Sequence, residues 1–322
     1  MQASIWTFVL YVLTLAVGSA EAQNYPARPV RVVVSTPAGG ATDLVARAVM
    51  QRLSETWRQQ IVIENKVGAN TQIGAEAVAR SAADGYTLLA TSEATLSVNP
   101  FLYRKLSYDA KDFTPISGMG LINQGLVVHP SVPAHTVGDF ISLAKAKPGQ
   151  LNYGTLGIGS SSHLNTVLFE SMTGVKLTPV HYKGGAPALT DLIGGHIHAL
   201  FISMTLAQQP WKAGQLRILG VGTNLRALDF PDLPTISESG VPGYRAFSWF
   251  GLFAPSGVAP EIVTKINADV QRVLLDDDFK RSFLLPNHYD PILGSAAQFA
   301  EYVKEDSLKW RKVITDANIS VD

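Results

Sequence analysis

The chain has 322 residues, 26 cationic and 26 anionic side chains, 46% hydrophobic residues and no cysteine. Its length calls for two cores of roughly 150 residues each, its apolar content excludes a disordered chain, and its balanced charge leaves no surplus cations for a nucleic acid. Without cysteine there can be no disulfide framework, thiolate zinc site, iron–sulfur cluster or cysteine nucleophile.

The first element is an apolar run from Ile5 to Val17, followed by Ala20-Glu21-Ala22. It is too short for a membrane anchor, which needs about 20 residues, and it ends in the small-x-small pattern of a cleaved leader. Residues 1–22 are therefore expected to be a signal peptide, although Met1 to Ser4 carry no Lys or Arg. No later run approaches the length of a membrane helix, so a soluble protein outside the cytoplasm is expected.

The mature chain alternates strands and helices. Val30–Val34 is a β-branched strand running into the turn Ser35–Gly40, and Thr42-Asp43 opens a helix with Leu44, Val45, Ala48, Val49 and Leu53 at helical spacing. Ile61–Glu64 is a strand, 73–80 a helix and Tyr86–Thr91 a strand. A second series follows Asn123: a strand at 125–128, a helix at 137–146, a strand at 151–155, a Gly/Ser turn at 157–162 and another helix. Strands at 179–182, 199–202 and 218–221 complete it, and helices at about 260–275 and 296–314 return to the first unit. This rhythm predicts an α/β protein of two lobes, each a mostly parallel sheet flanked by helices. The expected boundaries are 23–122 plus 246–322 for a discontinuous lobe 1, and 123–245 for lobe 2.

Each series carries the same feature: a strand, a turn of Gly and small residues, then a helix start. The turns are Pro37-Ala38-Gly39-Gly40-Ala41-Thr42-Asp43 and Gly157-Ile158-Gly159-Ser160-Ser161-Ser162-His163. Helix-start amides lack intrahelical acceptors and carry partial positive charge, so a small anion suits them. Nucleotide motifs are missing, because no GxxxxGK[ST] occurs and Gly157-x-Gly159 lacks a third glycine. Ser160 to His163 does not fit the G-x-S-x-G nucleophile elbow. His196 and His198 share a strand face but have no acidic neighbour in sequence to complete a metal set. No cofactor, metal site or catalytic residue is expected. Tyr182-Lys183 after a strand, and Trp249 near the return to lobe 1, are candidate pocket walls.

These pieces in this order resemble the tripartite tricarboxylate transporter receptor family, the Bug-type periplasmic solute-binding proteins. The resemblance rests on Tyr25-Pro26-x-Arg28-Pro29-Val30, Pro37-Ala38-Gly39-Gly40-x-x-Asp43-x-x-Ala46-Arg47 and Val62-Ile63-Glu64-Asn65-Lys66-x-Gly68-Ala69. It continues through Asp84-Gly85-Tyr86-Thr87-Leu88, Pro148-Gly149-x-Leu151-x-Tyr153-Gly154, Gly157-x-Gly159-Ser160-x-x-His163-Leu164 and Tyr182-Lys183-Gly184-x-x-Pro187-Ala188. Pro234-Thr235-x-x-Glu238-x-Gly240 and Trp249-x-Gly251-x-x-Ala254-Pro255 close it. It implies a type II-like periplasmic binding fold that closes on a ligand without catalysis. The implied partners are a small carboxylate (a dicarboxylate, an acidic amino acid or an aromatic carboxylate) and integral membrane transporter subunits, with the receptor itself a monomer. Carried over by position, it implies ligand contacts at Pro37, Ala38, Gly39, Gly40 and Asp43, and across the cleft at Ser160, Ser161 and Ser162 beside Tyr182 and Lys183. Thr91, Ser92 and Ser203, at strand ends, are further candidates. The chain departs from the family pattern at Thr36-Pro37-Ala38, Val67, Asn70-Thr71 and His198. Two alternatives remain open at this level: an exported serine hydrolase, and a ligand sensor presenting its closed form to a membrane partner.

Overall fold

The computed structural model describes residues 25–321 except Leu228; the expected leader at 1–22 lies outside the described residues. The first unit starts with β1 (Val30–Val34), fully buried apart from Arg31, and α1 (Ala41–Trp57), which buries Val45, Ala46, Val49, Met50 and Leu53 on one face. Then come β2 (Ile61–Asn65), α2 (Gln72–Ala79) and β3 (Thr87–Ser92), with β1 parallel to both other strands. The chain crosses through β4 (Phe113–Ile122) and Asn123 into β5 (Gln124–Val128).

The second unit repeats the plan. It contains α3 (Val137–Ala146), β6 (Asn152–Thr155), α4 (Ser161–Thr173), β7 (Thr178–His181), α5 (Gly185–Ile193), β8 (Ala199–Ser203), α6 (Met204–Lys212) and β9 (Arg217–Val221). Return is through β10 (Ser248–Pro255), followed by α7 (Pro260–Leu275), β11 (Tyr289–Asp290) and α8 (Ala296–Asp316). One sheet runs β11-β4-β10-β3-β1-β2 and the other β7-β6-β8-β5-β9.

The sheets are mixed rather than mostly parallel, which corrects the expectation. Only β1–β2, β1–β3, β6–β7 and β6–β8 pair in parallel among the described strands; β10 and β5 pair antiparallel with both neighbours. The cause is the double crossing. Each lobe receives into its interior a strand that arrives directly from the other lobe, and that strand runs against the ones laid down by helical crossovers. β4 also escaped the reading, because Pro115, Gly118 and Gly120 interrupt its pattern. Pro115 is tolerated because β11 covers only Leu121 and Ile122, leaving that side of β4 without a partner strand at Pro115. Helices α5 and α6 were likewise unread; α6 carries Pro210 within its last turn.

Two segments bind the lobes together. Helix α8 was expected to return to the first unit, yet only its start does so: Phe299 and Val303 pack with Trp249 and Phe253, whereas Trp310, Val313 and Ile314 join the second unit's core with Leu164 and Phe169. The stretch after β3 behaves alike, with Leu96 in the first core and Val98 and Leu102 in the second. His288, before β11, bonds Gln208 of α6 and Asp229, and its ring lies 5.4 Å from that of Phe230.

Candidate functional site

The two Gly-rich turns are built alike. In the first, Gly40 N–H donates to Pro37 O (3.1 Å), and Gly39, at φ +78, donates to the Asp43 carboxylate (2.9 Å). In the second, Ser160 N–H donates to Gly157 O (3.2 Å), and Gly159, at φ +75, donates to His163 Nδ1 (3.1 Å). Glycine serves at these two positions because the turn demands a left-handed residue. Each turn is closed by a side chain four residues on, Asp43 or His163, so the Gly39, Gly40, Gly159 and Ser160 amides are all taken internally. What each turn offers a ligand is the next set of amides, at the first residues of α1 and α4.

Asp43 is a structural clamp as placed. Its carboxylate also accepts from Arg47 Nε (2.8 Å) and Asn65 Nδ2 (2.8 Å), and Asn65 in turn donates to Thr36 O (3.0 Å). Burial opposes its ionisation, but these bonds outweigh burial and hold its carboxyl below the usual carboxylate range. His163 has a comparable role. Burial, with His181 beside it, pushes its pKa down to about 4, in keeping with a neutral ring that accepts at Nδ1.

A cavity of about 110 Å³ opens between the lobes at the second turn. Gly159, Ser160, Ser161, Leu164 and Asn165 line it from one side, and Asn70, Glu93, Ala94 and Val98 from the other, with Phe247 and Trp310 between them. Ser160 donates its hydroxyl to Gly157 O (2.6 Å) and lies 3.1 Å from Ser162 Oγ, which accepts from Leu156 N–H (2.9 Å). Ser161 accepts from Gln124 Nε2 (3.1 Å), so its own O–H can point at a ligand. In this turn no serine hydroxyl bonds an imidazole; the contact between Ser160 and His163 is the His163 backbone N–H to Ser160 Oγ (3.4 Å). A serine nucleophile activated by a neighbouring histidine is therefore not assembled here.

The other candidates fall in several places. Pro37, Ala38 and Gly39 are exposed, and Gly40 and Asp43 complete their turn without reaching this cavity. Thr91 is fully buried in a chain of hydroxyls: Ser35 to Thr91 (2.7 Å), Thr91 to Thr95, and Thr95 to Thr71 (2.7 Å). It ties the first turn to the loop before α2. Ser92 precedes Glu93 and is half-buried; Ser203 precedes α6. Tyr182 donates its hydroxyl to Asp191 (2.7 Å), and Lys183 is exposed. Trp249 is corrected as a pocket wall: it has no exposure, its ring packs against Phe253, Phe299 and Tyr302, and Nε1 donates to Asp306 (2.8 Å). Phe247, just ahead of β10, lines the cavity instead.

Sequence reasoning missed Asn70, Glu93 and Asn165. The signal for Glu93 was an acidic residue directly after the carboxyl end of β3, where ligands collect in open α/β sheets. Asn70 lies in a loop where Ala69, Asn70 and Thr71 take φ values of +45, +47 and +78. Its side chain donates to Asn99 Oδ1 (2.8 Å), and Asn99 returns a bond to Asn70 O (2.7 Å). A non-glycine residue in the left-handed region costs roughly 1–2 kcal/mol. Ala69 is exposed and loses little with its methyl, so Ala69→Gly is expected to raise stability by about 1 kcal/mol, read as a higher midpoint in urea.

Comparison with known proteins adds to this geometry. Residues 45–319 match the model of the tripartite tricarboxylate transporter family receptor. The chain is 32% identical to Protein BugT of Bordetella pertussis over 310 residues, 95% of each chain. Among solved structures it is similar to the R. palustris protein Rpa4515 with adipate, at 38% identity and TM-score 0.77, covering 92% of this chain and all of that one. It is also similar to MatC of Rhodopseudomonas palustris with bound malate, at 30% identity and TM-score 0.72, covering 90% of this chain and all of that one. With a matching family model over most of its length and the two-lobed α/β fold to accompany it, the chain belongs to the tripartite tricarboxylate transporter receptor family.

Proposed function

We propose that this protein is a periplasmic receptor that captures a small organic carboxylate between its lobes and delivers it to the integral membrane subunits of a tripartite tricarboxylate-type transporter. Residues 23–122 with 246–322 form one lobe in this reading and 123–245 the other, and the receptor works as a monomer without turnover. The observation that carries it is the interlobe cavity, where the start of α4 presents Ser160 and Ser161 opposite Asn70 and Glu93. Helix-start amides and the Ser161 hydroxyl suit a carboxylate, each such bond contributing roughly 1.5–3 kcal/mol and the helix end about 0.3–1 kcal/mol. Four such bonds reach the roughly 8 kcal/mol that micromolar binding requires, after ordering costs that reduce the gross sum. A ligand touching both lobes binds the closed form better and so shifts the protein toward it. Adipate and malate, held by two similar proteins, are of the proposed class.

A thermal-shift screen of mono- and dicarboxylates tests the reading, because a ligand bound only by the folded state raises the midpoint. At least one acid is expected to do so, with affinity reduced about tenfold to a hundredfold by Ser161→Ala, the equivalent of one charged hydrogen bond. No shift with any carboxylate, or ester hydrolysis abolished by Ser160→Ala, would overturn it.

A further inference from the structure

The cavity holds two polar groups, one on each wall, that a simple carboxylate leaves unused. Asn165 has no exposure, lines the cavity, and its Oδ1 has no hydrogen-bond partner. Its Nδ2 is directed at Gln124 Oε1 (3.4 Å). An acceptor buried without a donor is costly unless something supplies one. Glu93 stands on the facing lobe and is buried in the same cavity. One carboxyl oxygen accepts from Trp249 N–H (3.2 Å), and no cation among the described residues lies within ion-pair distance of it. The nearby charged groups are engaged elsewhere: Lys309 bonds Asp306 (2.6 Å) and Arg245 O (3.1 Å), and Asp306 also receives Trp249 Nε1. The wall of α4 thus offers donors and, one turn on, the orphan oxygen of Asn165, and the facing wall offers a buried carboxyl that has no cation paired with it.

We propose that the ligand of this cavity is a carboxylate that also carries an ammonium group, with Glu93 and Asn165 receiving its N–H donors while the start of α4 receives its carboxylate. The inference rests on the carboxylate-capture reading above and narrows it. A dicarboxylate would bring its second anion against Glu93 in a water-poor cleft, where like charges repel strongly. An ammonium pairs Glu93 and fills Asn165 at once. Burial, with Asp306 adding repulsion, pushes the Glu93 carboxyl up to about 7. The carboxyl also accepts from the Ser248 hydroxyl, Tyr302 and Lys309 face it, and Arg245 stands beyond them beside Tyr302 and Lys309. A cationic ligand selects ionised Glu93, so its affinity should rise with pH; a dicarboxylate that accepts a proton from Glu93 would show a falling one.

The test is calorimetric titration of matched pairs that differ by one ammonium: aspartate against succinate, glutamate against glutarate, 2-aminoadipate against adipate. The amino member of at least one pair is expected to bind at least tenfold tighter, and Glu93→Gln to shrink that ratio at least tenfold. Equal binding within every pair, tighter binding of the des-amino acids, binding of simple or aromatic carboxylates alone, or a ratio unchanged in Glu93→Gln would overturn the proposal while leaving carboxylate capture intact. Absence of binding by every carboxylate would overturn both. If Glu93→Gln does not fold, the unaltered protein decides: affinity for the amino member rising about tenfold from pH 6 to 8 supports the assignment, and a flat or falling profile overturns it.

Discussion

Replacing Gly222 with alanine is expected to destabilise the protein by about 3 kcal/mol or more, at the upper end of what overpacking usually costs. A Cβ there would stand 2.0 Å from Ala246 O and 3.0 Å from its carbonyl carbon, and neither belongs to a side chain that can swing away. The position is also pinned. Gly222 N–H donates to Gln124 O (2.8 Å) and Ala246 N–H donates to Gly222 O (2.8 Å), so the added methyl must break a contact among three segments, just after β9, at the start of β5 and just before β10. Phe247, which lines the interlobe cavity, is the next residue along. Loss of stability should therefore come with weakened carboxylate binding. Gly138→Ala in α3 is the control: its Cβ meets nothing closer than the Thr136 hydroxyl at 3.7 Å, and a helical alanine should be neutral or stabilising by up to about 1 kcal/mol. Urea midpoints of the two variants, at unchanged slope, separate steric intrusion from any general intolerance of glycine loss.

Asp43→Ala is expected to cost about 2–3 kcal/mol and to loosen the first turn. The carboxylate is nearly fully buried, whereas its partner Arg47 is about half exposed, so the ion pair alone contributes modestly. The larger part comes from leaving Gly39 N–H and Asn65 Nδ2 without their acceptor. The pH dependence has a defined sign. Because the folded protein holds this carboxyl below its usual range, its stabilisation is present above the unfolded carboxylate pKa near 4 and is lost as pH falls through the depressed folded value. Denaturant midpoints measured from pH 7 down to pH 2.5 should show the native protein losing its advantage over Asp43→Ala across that acid range. A difference that stayed constant with pH would mean the side chain acts by packing alone.

The strands and helices that carry regular patterns were legible in the sequence. Val30–Val34 and the apolar spacing of α1 announce themselves, as do the paired Gly turns, because local chemistry alone fixes them. The sequence equally located Ser160 and Ser161, which the structure brings to a cavity between the lobes. What it could not give depends on contacts far apart along the chain. Trp249 and Phe247 look equivalent in sequence and join the same core cluster, yet Trp249 is sealed there with its indole bonded to Asp306 of α8, whereas Phe247, just ahead of β10, also lines the cleft. Thr91 resembles a ligand donor but is consumed by a buried hydroxyl chain in which Ser35 and Thr91, bonded to each other, lie 56 residues apart. Glu93 was overlooked because β3 runs straight into a wide helical turn at Ala94–Val98, one residue beyond where the strand pattern stops. The direction of β5 and β10 followed from the chain passing twice between lobes, a topological fact that hydropathy does not encode.

The direct measurement is a crystal structure of the protein grown with the acid that gives the largest thermal shift. The account predicts carboxylate oxygens about 3 Å from the Ser161 amide or hydroxyl, with Asn70 or Glu93 touching the same molecule from the opposite lobe. The acid bound in another cleft, with the space between Ser161 and Glu93 filled only by water, would contradict it.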